Sequence, residues 1–312
     1  MRGPVDYLLL FFKGAAMGAA DVVPGVSGGT IAFISGIYQR LLNAIRAVNL
    51  ANLKRLLCGD IKGFWQVIDG TFLAVLFTGI LLSILSLAKL VSYGMQEHPI
   101  LLWSFFFGLI VASIIWMLGN LDRWRWQEGL AIIVGTAAAA GLFWMPGAAA
   151  SESLLMIFAA GAVAICAMIL PGISGSFILV LIGLYPVLIE AISELQVVVL
   201  MVFAGGCLVG LMSFSRLLGW LLEHYRSTTL GLLTGFLVGS LAIVWPWKEK
   251  LIVMFTASGK EVVLEQRNLL PGEYWQLFGD DPQTWPAILL ALLGVALVLG
   301  LERLGGRHKG RV

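Results

Sequence analysis

Seven long stretches of this chain contain no Asp, Glu, Lys, Arg or His: 70–88, 99–121, 129–151, 153–189, 195–215, 227–247 and 282–301. Most are close to the roughly 20 apolar residues that a membrane-crossing helix needs. With 59% of residues apolar, 12% charged and a mean hydropathy of +0.94, little mass is left for water. A soluble domain sits nearer about 45–50% apolar and about 25% charged. The expected fold class is therefore an all-α polytopic membrane protein, which excludes a soluble enzyme on a peripheral anchor. A net charge of +2 gives no argument for nucleic acid as a partner. Cys58, Cys166 and Cys207 are isolated and show neither a disulfide framework nor zinc spacing. His98, His224 and His308 fall in expected loops or tails, so neither a metal nor a cofactor is expected. The apolar run at 7–12 is too short for the core of a cleaved signal peptide, and Met1 onward reads as mature protein.

Loop charge sets the expected sidedness. Fifteen Lys and Arg fall on one side: Arg2, Lys13, Arg40, Arg46, Lys54, Arg55, Lys62, Arg123, Arg125, Arg216, Arg226, Arg303, Arg307, Lys309 and Arg311. The other side carries five, Lys89, Lys248, Lys250, Lys260 and Arg267. The positive-inside rule then puts both termini in the cytoplasm. The segment 46–66 interleaves leucines with Lys54, Arg55 and Lys62, as a basic amphipathic helix on an anionic leaflet does. The segment 248–281 is the one sizeable external loop, with Trp245, Trp247, Trp275 and Trp285 read as an aromatic belt around it.

Self-comparison exposes a repeat. Pro24-Gly25-Val26-Ser27-Gly28 recurs as Pro171-Gly172-Ile173-Ser174-Gly175, and Gly36-Ile37-Tyr38 as Gly183-Leu184-Tyr185, with ten of twenty-two positions identical at an offset of 147. Further on the offset is 127, pairing Gly79 with Gly206, Ser86 with Ser213 and Gly108 with Gly235. The chain divides accordingly. Repeat 1–150 holds a hairpin at 7–45, the amphipathic segment 46–66 and spans 70–88, 99–121 and 129–146. Repeat 151–312 holds a hairpin at 153–192 and spans 195–215, 227–247 and 284–302. Each hairpin returns to the side it entered and three spans is an odd number, so the second repeat must run inverted. Inverted repeats of this kind belong to many alternating-access transporters. The hairpins either cross fully or are re-entrant, and Lys13 and Asp21 within the first favour the re-entrant form.

At each turn Pro and Gly end one helix, and Ser27 or Ser174 stands where the next helix needs an N-cap. A helix N-terminus offers unpaired N–H groups and partial positive charge, and so binds anions. Ser27, Gly28, Gly29 and Thr30 from one turn, with Ser174, Gly175 and Ser176 from the other, form a candidate site for a phosphate or carboxylate; the plain alternative is a tight turn with capped helices. Arg40 is either a bidentate phosphate ligand or a flanking cation. Asp21, whose repeat counterpart is Met168, is either a proton carrier or an ion-pair partner of Lys13 or Arg40. Glu190 is a further candidate for proton coupling; with Glu194 it otherwise reads as solvated helix-end charge.

These residues carry a family resemblance. Lys13-Gly14, Met17-Gly18, the run from Ala20 through Asp21 and Pro24 to Phe33, and the second motif from Leu170 to Ser176 resemble the polyprenyl-phosphate translocases (PopT type), essentially along the whole chain. Where that family often has an acidic residue after each tyrosine, Gln39 and Pro186 stand here. The resemblance implies a transporter, not an enzyme, that returns undecaprenyl phosphate from the outer to the inner leaflet of the cytoplasmic membrane for cell-wall and glycan synthesis. From the residues alone the reading stops at a transporter with an intramembrane anion site. A small-anion transporter is an alternative. So is a polyprenyl-pyrophosphate phosphatase, which pairs Pro-Gly-x-Ser-Arg-Ser with Glu-x-x-x-Glu; Glu190 and Glu194 have that spacing, but Gly28 and Gly175 replace the arginine.

Overall fold

The computed structural model describes residues 3–22, 27–121, 124–144, 153–255 and 261–306. The first half comprises α1 (Pro4–Asp21), α2 (Gly28–Ile34), α3 (Tyr38–Ala47), α4 (Leu50–Leu57), α5 (Ile61–Val67), α6 (Gly70–Glu97), α7 (Pro99–Gly119) and α8 (Trp126–Trp144). The second comprises α9 (Leu154–Ile169), α10 (Gly175–Ile182), α11 (Tyr185–Ser193), α12 (Val197–His224), α13 (Arg226–Ser240), β1 (Lys248–Phe255), β2 (Glu261–Asn268), α14 (Pro271–Phe278) and α15 (Thr284–Gly306). The chain is a mostly helical, multi-pass membrane protein.

Helix starts follow local chemistry. Pro4 and Pro99 occupy first-turn positions, where the missing N–H costs nothing. Asn49, Asp60 and Ser153 cap α4, α5 and α9 by accepting from Asn52 N, Gly63 N and Met156 N. Hydroxyls inside the bundle return to their own helix: Ser104, Ser113 and Thr234 donate to the carbonyls of Ile100, Leu109 and Leu230 at 2.6–2.7 Å. No water is needed to satisfy them.

The long helices associate in four pairs, α1 with α6, α9 with α12, α7 with α15 and α8 with α13. Apolar burial gives little drive between helices in lipid, so close backbone packing at small residues must hold them. A Cβ on Gly210 of α12 would stand 2.5 Å from the Ala162 carbonyl oxygen of α9. Gly108 meets the Ala291 carbonyl of α15 and Gly235 meets the Ile132 carbonyl of α8 more closely still. Of the apolar windows, 61% of α7 is buried but only 28% of α6 and 11% of α12. Thus α7 is central, while α6 and α12 present leucines such as Leu81 and Leu208 outward.

Several expectations are revised. Among the described residues, α6, α7 and α12 alone are long and apolar enough to cross a membrane by themselves, with α10 and α11 a fourth candidate pair bent by 106°. α6 and α12 run on past Lys89 and Arg216 to 28 residues each. α13 instead stops at Ser240, seven residues short of the expected 247. The mostly helical chain fits the expected class, with one small addition: the segment 248–268 contains the antiparallel hairpin β1–β2 before α14. The apolar, β-branched runs at 251–255 and 262–263 favour strand despite the charges around them. Trp245 and Trp247 also pack inward. Their indole N–H groups donate to Leu269 O and Pro282 O at 2.8 Å, clamping this segment onto the bundle. Lys248 places its ammonium 3.6 Å from the Trp103 ring centroid, and burial there pushes its pKa down to about 7. The amphipathic segment forms two helices, α4 and α5, with Leu53, Leu56, Leu57 and Ile61 exposed. Pro24, Gly25, Arg2, Arg123, Glu152, Lys260, Arg307, Lys309 and Arg311 lie outside the described residues.

Candidate functional site

Each hairpin is more broken than the motif alone implies. The second leg of the second hairpin is only α10, eight residues or about 12 Å of helix, against sixteen residues in α9. Gly183, at φ +80°, then turns the chain into α11, and Gly36, at φ +71°, does the same between α2 and α3. Only glycine adopts this left-handed geometry without strain. The G-x-Y element is thus a second hinge in each hairpin rather than helix interior.

The two turns meet. Ser27 Oγ donates to the Met168 carbonyl at 3.0 Å, and Gly172 N donates to Thr30 Oγ1 at 3.0 Å. Tyr38 OH donates to the Ile169 carbonyl at 2.9 Å, its ring tilted against Phe33, which in turn lies edge-on to Trp116. A Cβ on Gly29 would come 2.8 Å from the Ile169 carbonyl oxygen, so glycine is what allows the second turn to lie on the first. Ser27, Thr30, Ser174, Gly28 and Gly175 are all buried here, while Ser176 is exposed.

The helix starts differ in what their amides bond. Ser27 caps α2 by accepting from Gly29 N at 3.1 Å, and Asp21 accepts from Gly28 N at 2.6 Å. On α10, Ser174 makes no cap; its hydroxyl lies 2.9 Å from that of Ser176. Among the described residues, Gly175 N and Ser176 N have no acceptor. Met168 fills the place beside Gly175 that Asp21 fills beside Gly28.

The other candidates are distributed around this centre. Asp21 pairs with neither Lys13 nor Arg40, contrary to the ion-pair expectation: the backbone amide supplies its donor. Lys13 Nζ donates to the Ser35 carbonyl at 2.6 Å, close to the hinge at Gly36. Arg40 is held by Asp69, through Nε at 2.6 Å and Nη2 at 3.0 Å, with its guanidinium 4.3 Å from the Phe72 ring centroid. Its bidentate geometry is real, but the carboxylate it grips belongs to the protein. Glu190 is exposed on α11. No group of three metal-ligating side chains occurs among the described residues. Tyr38 was the site residue missed by reading charges alone; its signal was the tyrosine kept at the same place in both repeats.

Residues 17–262 match the family model described as VCA0040-like, undecaprenyl phosphate translocase-like. A polyprenyl-phosphate transporter of Vibrio cholerae serotype O1 (strain ATCC 39315 / El Tor Inaba N16961) is 48% identical over 299 residues, covering 96% of this chain and 97% of the relative. A polyprenyl-phosphate transporter of Staphylococcus aureus (strain NCTC 8325 / PS 47) is 35% identical over 267 residues, 79% of this chain and 89% of the relative. No solved structure matches. With the model spanning most of the chain and a relative matched almost end to end, this protein belongs to the undecaprenyl phosphate translocase-like family.

Proposed function

We propose that this chain carries polyprenyl phosphate across the cytoplasmic membrane, from the outer to the inner leaflet, and so returns the carrier lipid for cell-wall and glycan synthesis. The observation that carries the reading is the meeting of Ser27 and Thr30 with Met168 and Gly172, beside amides at Gly175 and Ser176 that have no acceptor among the described residues and the Ser174 and Ser176 hydroxyls. A phosphate headgroup needs such donors in place of the water it leaves, since a bare charge in hydrocarbon is prohibitively costly. The isoprenoid tail needs nothing, because it stays in lipid.

The architecture we infer is a pair of inverted repeats, 1–150 and 151–312, each with a re-entrant hairpin, and with both termini cytoplasmic. Two features support it. The helix pairs correspond between halves, α1–α6 with α9–α12 and α7–α15 with α13–α8. An α10 of about 12 Å is also far short of the roughly 30 Å hydrocarbon core. In this reading Ser27, Gly28, Gly29, Thr30, Ser174, Gly175 and Ser176 surround the phosphate. Asp21 is the carboxylate that a headgroup or a proton displaces from Gly28, and Arg40 orders α3 through Asp69. Lys13 and Glu190 are left at the periphery.

The test is headgroup accessibility of polyprenyl monophosphate in liposomes holding the purified protein, with phosphate release from the pyrophosphate followed in parallel. Rapid leaflet equilibration without release is expected. Release would make the protein a phosphatase and move attention to Glu190 and Glu194. Neither signal, with uptake of a soluble anion, would replace the lipid by a small anion.

A further inference from the structure

α3 and α11 occupy matching places in the repeat, yet they are packed differently. α3 lies against α12, the long helix of the other half. Leu42 and Ala44 on α3 are buried, as are Leu218, Gly219 and Leu222 on α12. Arg46 lays its side chain over Gly219, where a Cβ would meet Cζ at 2.8 Å, and its Nη1 donates to Glu223 Oε1 at 2.5 Å. Arg40 fixes the same helix to the start of α6 through Asp69.

α11 has none of this. It packs on α10 and α12 of its own half, without comparable packing on α6. Val187 and Ser193 stand where the repeat places Arg40 and Arg46, and on α6 Gln96 stands for Glu223. Ser193 Oγ merely returns to the Glu190 carbonyl. Ile192 of α11 is 58% exposed, and Leu85, Leu90 and Tyr93 of α6 are exposed as well. Among the described residues, Tyr185 makes no hydrogen bond corresponding to the one from Tyr38 to Ile169.

We propose that the two halves exchange this seal: here α3 closes on α12, and in the alternate state α11 closes on the C-terminal half of α6 while α3 leaves α12. The proposal rests on the transport reading above, and it assigns the moving contact. When two like halves are packed unequally, exchanging their packing gives a second arrangement built from the same kinds of surface, so the two states can lie close in energy. The charged pair on one seal, with Ser193 and Gln96 on the other, biases the resting protein toward the state described.

Paired cysteines test it in the full chain with Cys58, Cys166 and Cys207 replaced by serine, reconstituted in liposomes. One protein carries Arg46→Cys and Glu223→Cys, another Gln96→Cys and Ser193→Cys, and each meets a short thiol-to-thiol crosslinker. The first pair should link in most molecules and the second in a minority. Linking the first should stop movement of polyprenyl monophosphate. With the native Arg46 kept, Glu223→Gln should raise the yield at 96–193 by up to about five-fold, the most an exposed ion pair supplies. Spin labels at 96 and 193 give a second readout, with two distance populations expected. A single long distance and no 96–193 link would overturn the proposal, as would both links forming in one molecule that carries all four cysteines. Seal exchange without lipid movement would count against the transport reading and leave this inference standing.

Discussion

The two turns share a motif and differ in the residue that packs against the first glycine of the following helix and in whether the serine caps that helix. In the first, Asp21 reaches Gly28 N, and the start of α2 already holds a negative charge. In the second, Met168 occupies the equivalent position, and among the described residues Gly175 N and Ser176 N have no acceptor. A thioether neither competes for N–H groups nor repels an anion. The start of α2 therefore has its amides engaged by Asp21 and by the Ser27 cap, and the start of α10 has neither. The lesson is that repeat symmetry in the backbone does not carry over to charge.

The sharpest way to break that difference is Met168→Asp, which gives the second turn its own carboxylate. Polyprenyl phosphate movement should fall at least about tenfold in the liposome assay, the scale of one charge-assisted hydrogen bond denied to the headgroup. Unchanged movement would remove α10 from the site. The converse change, Asp21→Met, should lower thermal stability in detergent by about 1–3 kcal/mol, because Gly28 N loses its acceptor. Transport should survive it better than it survives Met168→Asp; equal losses would mean that the turns are equivalent. Thr30→Val removes the acceptor for Gly172 N and should likewise cost about 1–3 kcal/mol by the same melting measurement, with little effect on helix content. The smallest effect separates the two tyrosines. Tyr38→Phe should cost about 0.5–1.5 kcal/mol for its bond to Ile169, and Tyr185→Phe less than about 0.5 kcal/mol. Similar losses in both variants would contradict the one-sided packing of α3.

Much of this architecture was legible in the sequence, and particular residues show where legibility ends. The contact between the turns followed from a duplicated, glycine-rich motif, because chance does not repeat Pro-Gly-x-Ser-Gly and Gly-x-Tyr in register. Helix ends were less legible. A scan for uncharged residues stops at Lys89 and Arg216, whereas long side chains let a helix continue while their charges reach water. Asp21 was legible as a costly charge but not as the acceptor of an amide, since a sequence displays side chains and hides backbone donors. The partner of Arg40 was hidden for a related reason. Asp69 is 29 residues away, across two short helices whose folding back no local pattern specifies. The strands β1 and β2 were obscured by the lysines and glutamates around them.

The pairing of helices has a consequence for biosynthesis. α1 with α6 and α9 with α12 are complete within one half, but α7 needs α15 and α8 needs α13. A ribosome that has delivered the first 150 residues has inserted two helices whose glycine faces, at Gly108 and Gly135, still wait for Ala291 and Leu232. The face at Gly135 waits for α13, and the face at Gly108 waits until α15 has been made. The protein therefore cannot mature half by half: α15 is the piece that locks the first half shut, and a chain cut short before α15 would leave a permanent seam for the membrane's quality-control proteases to find.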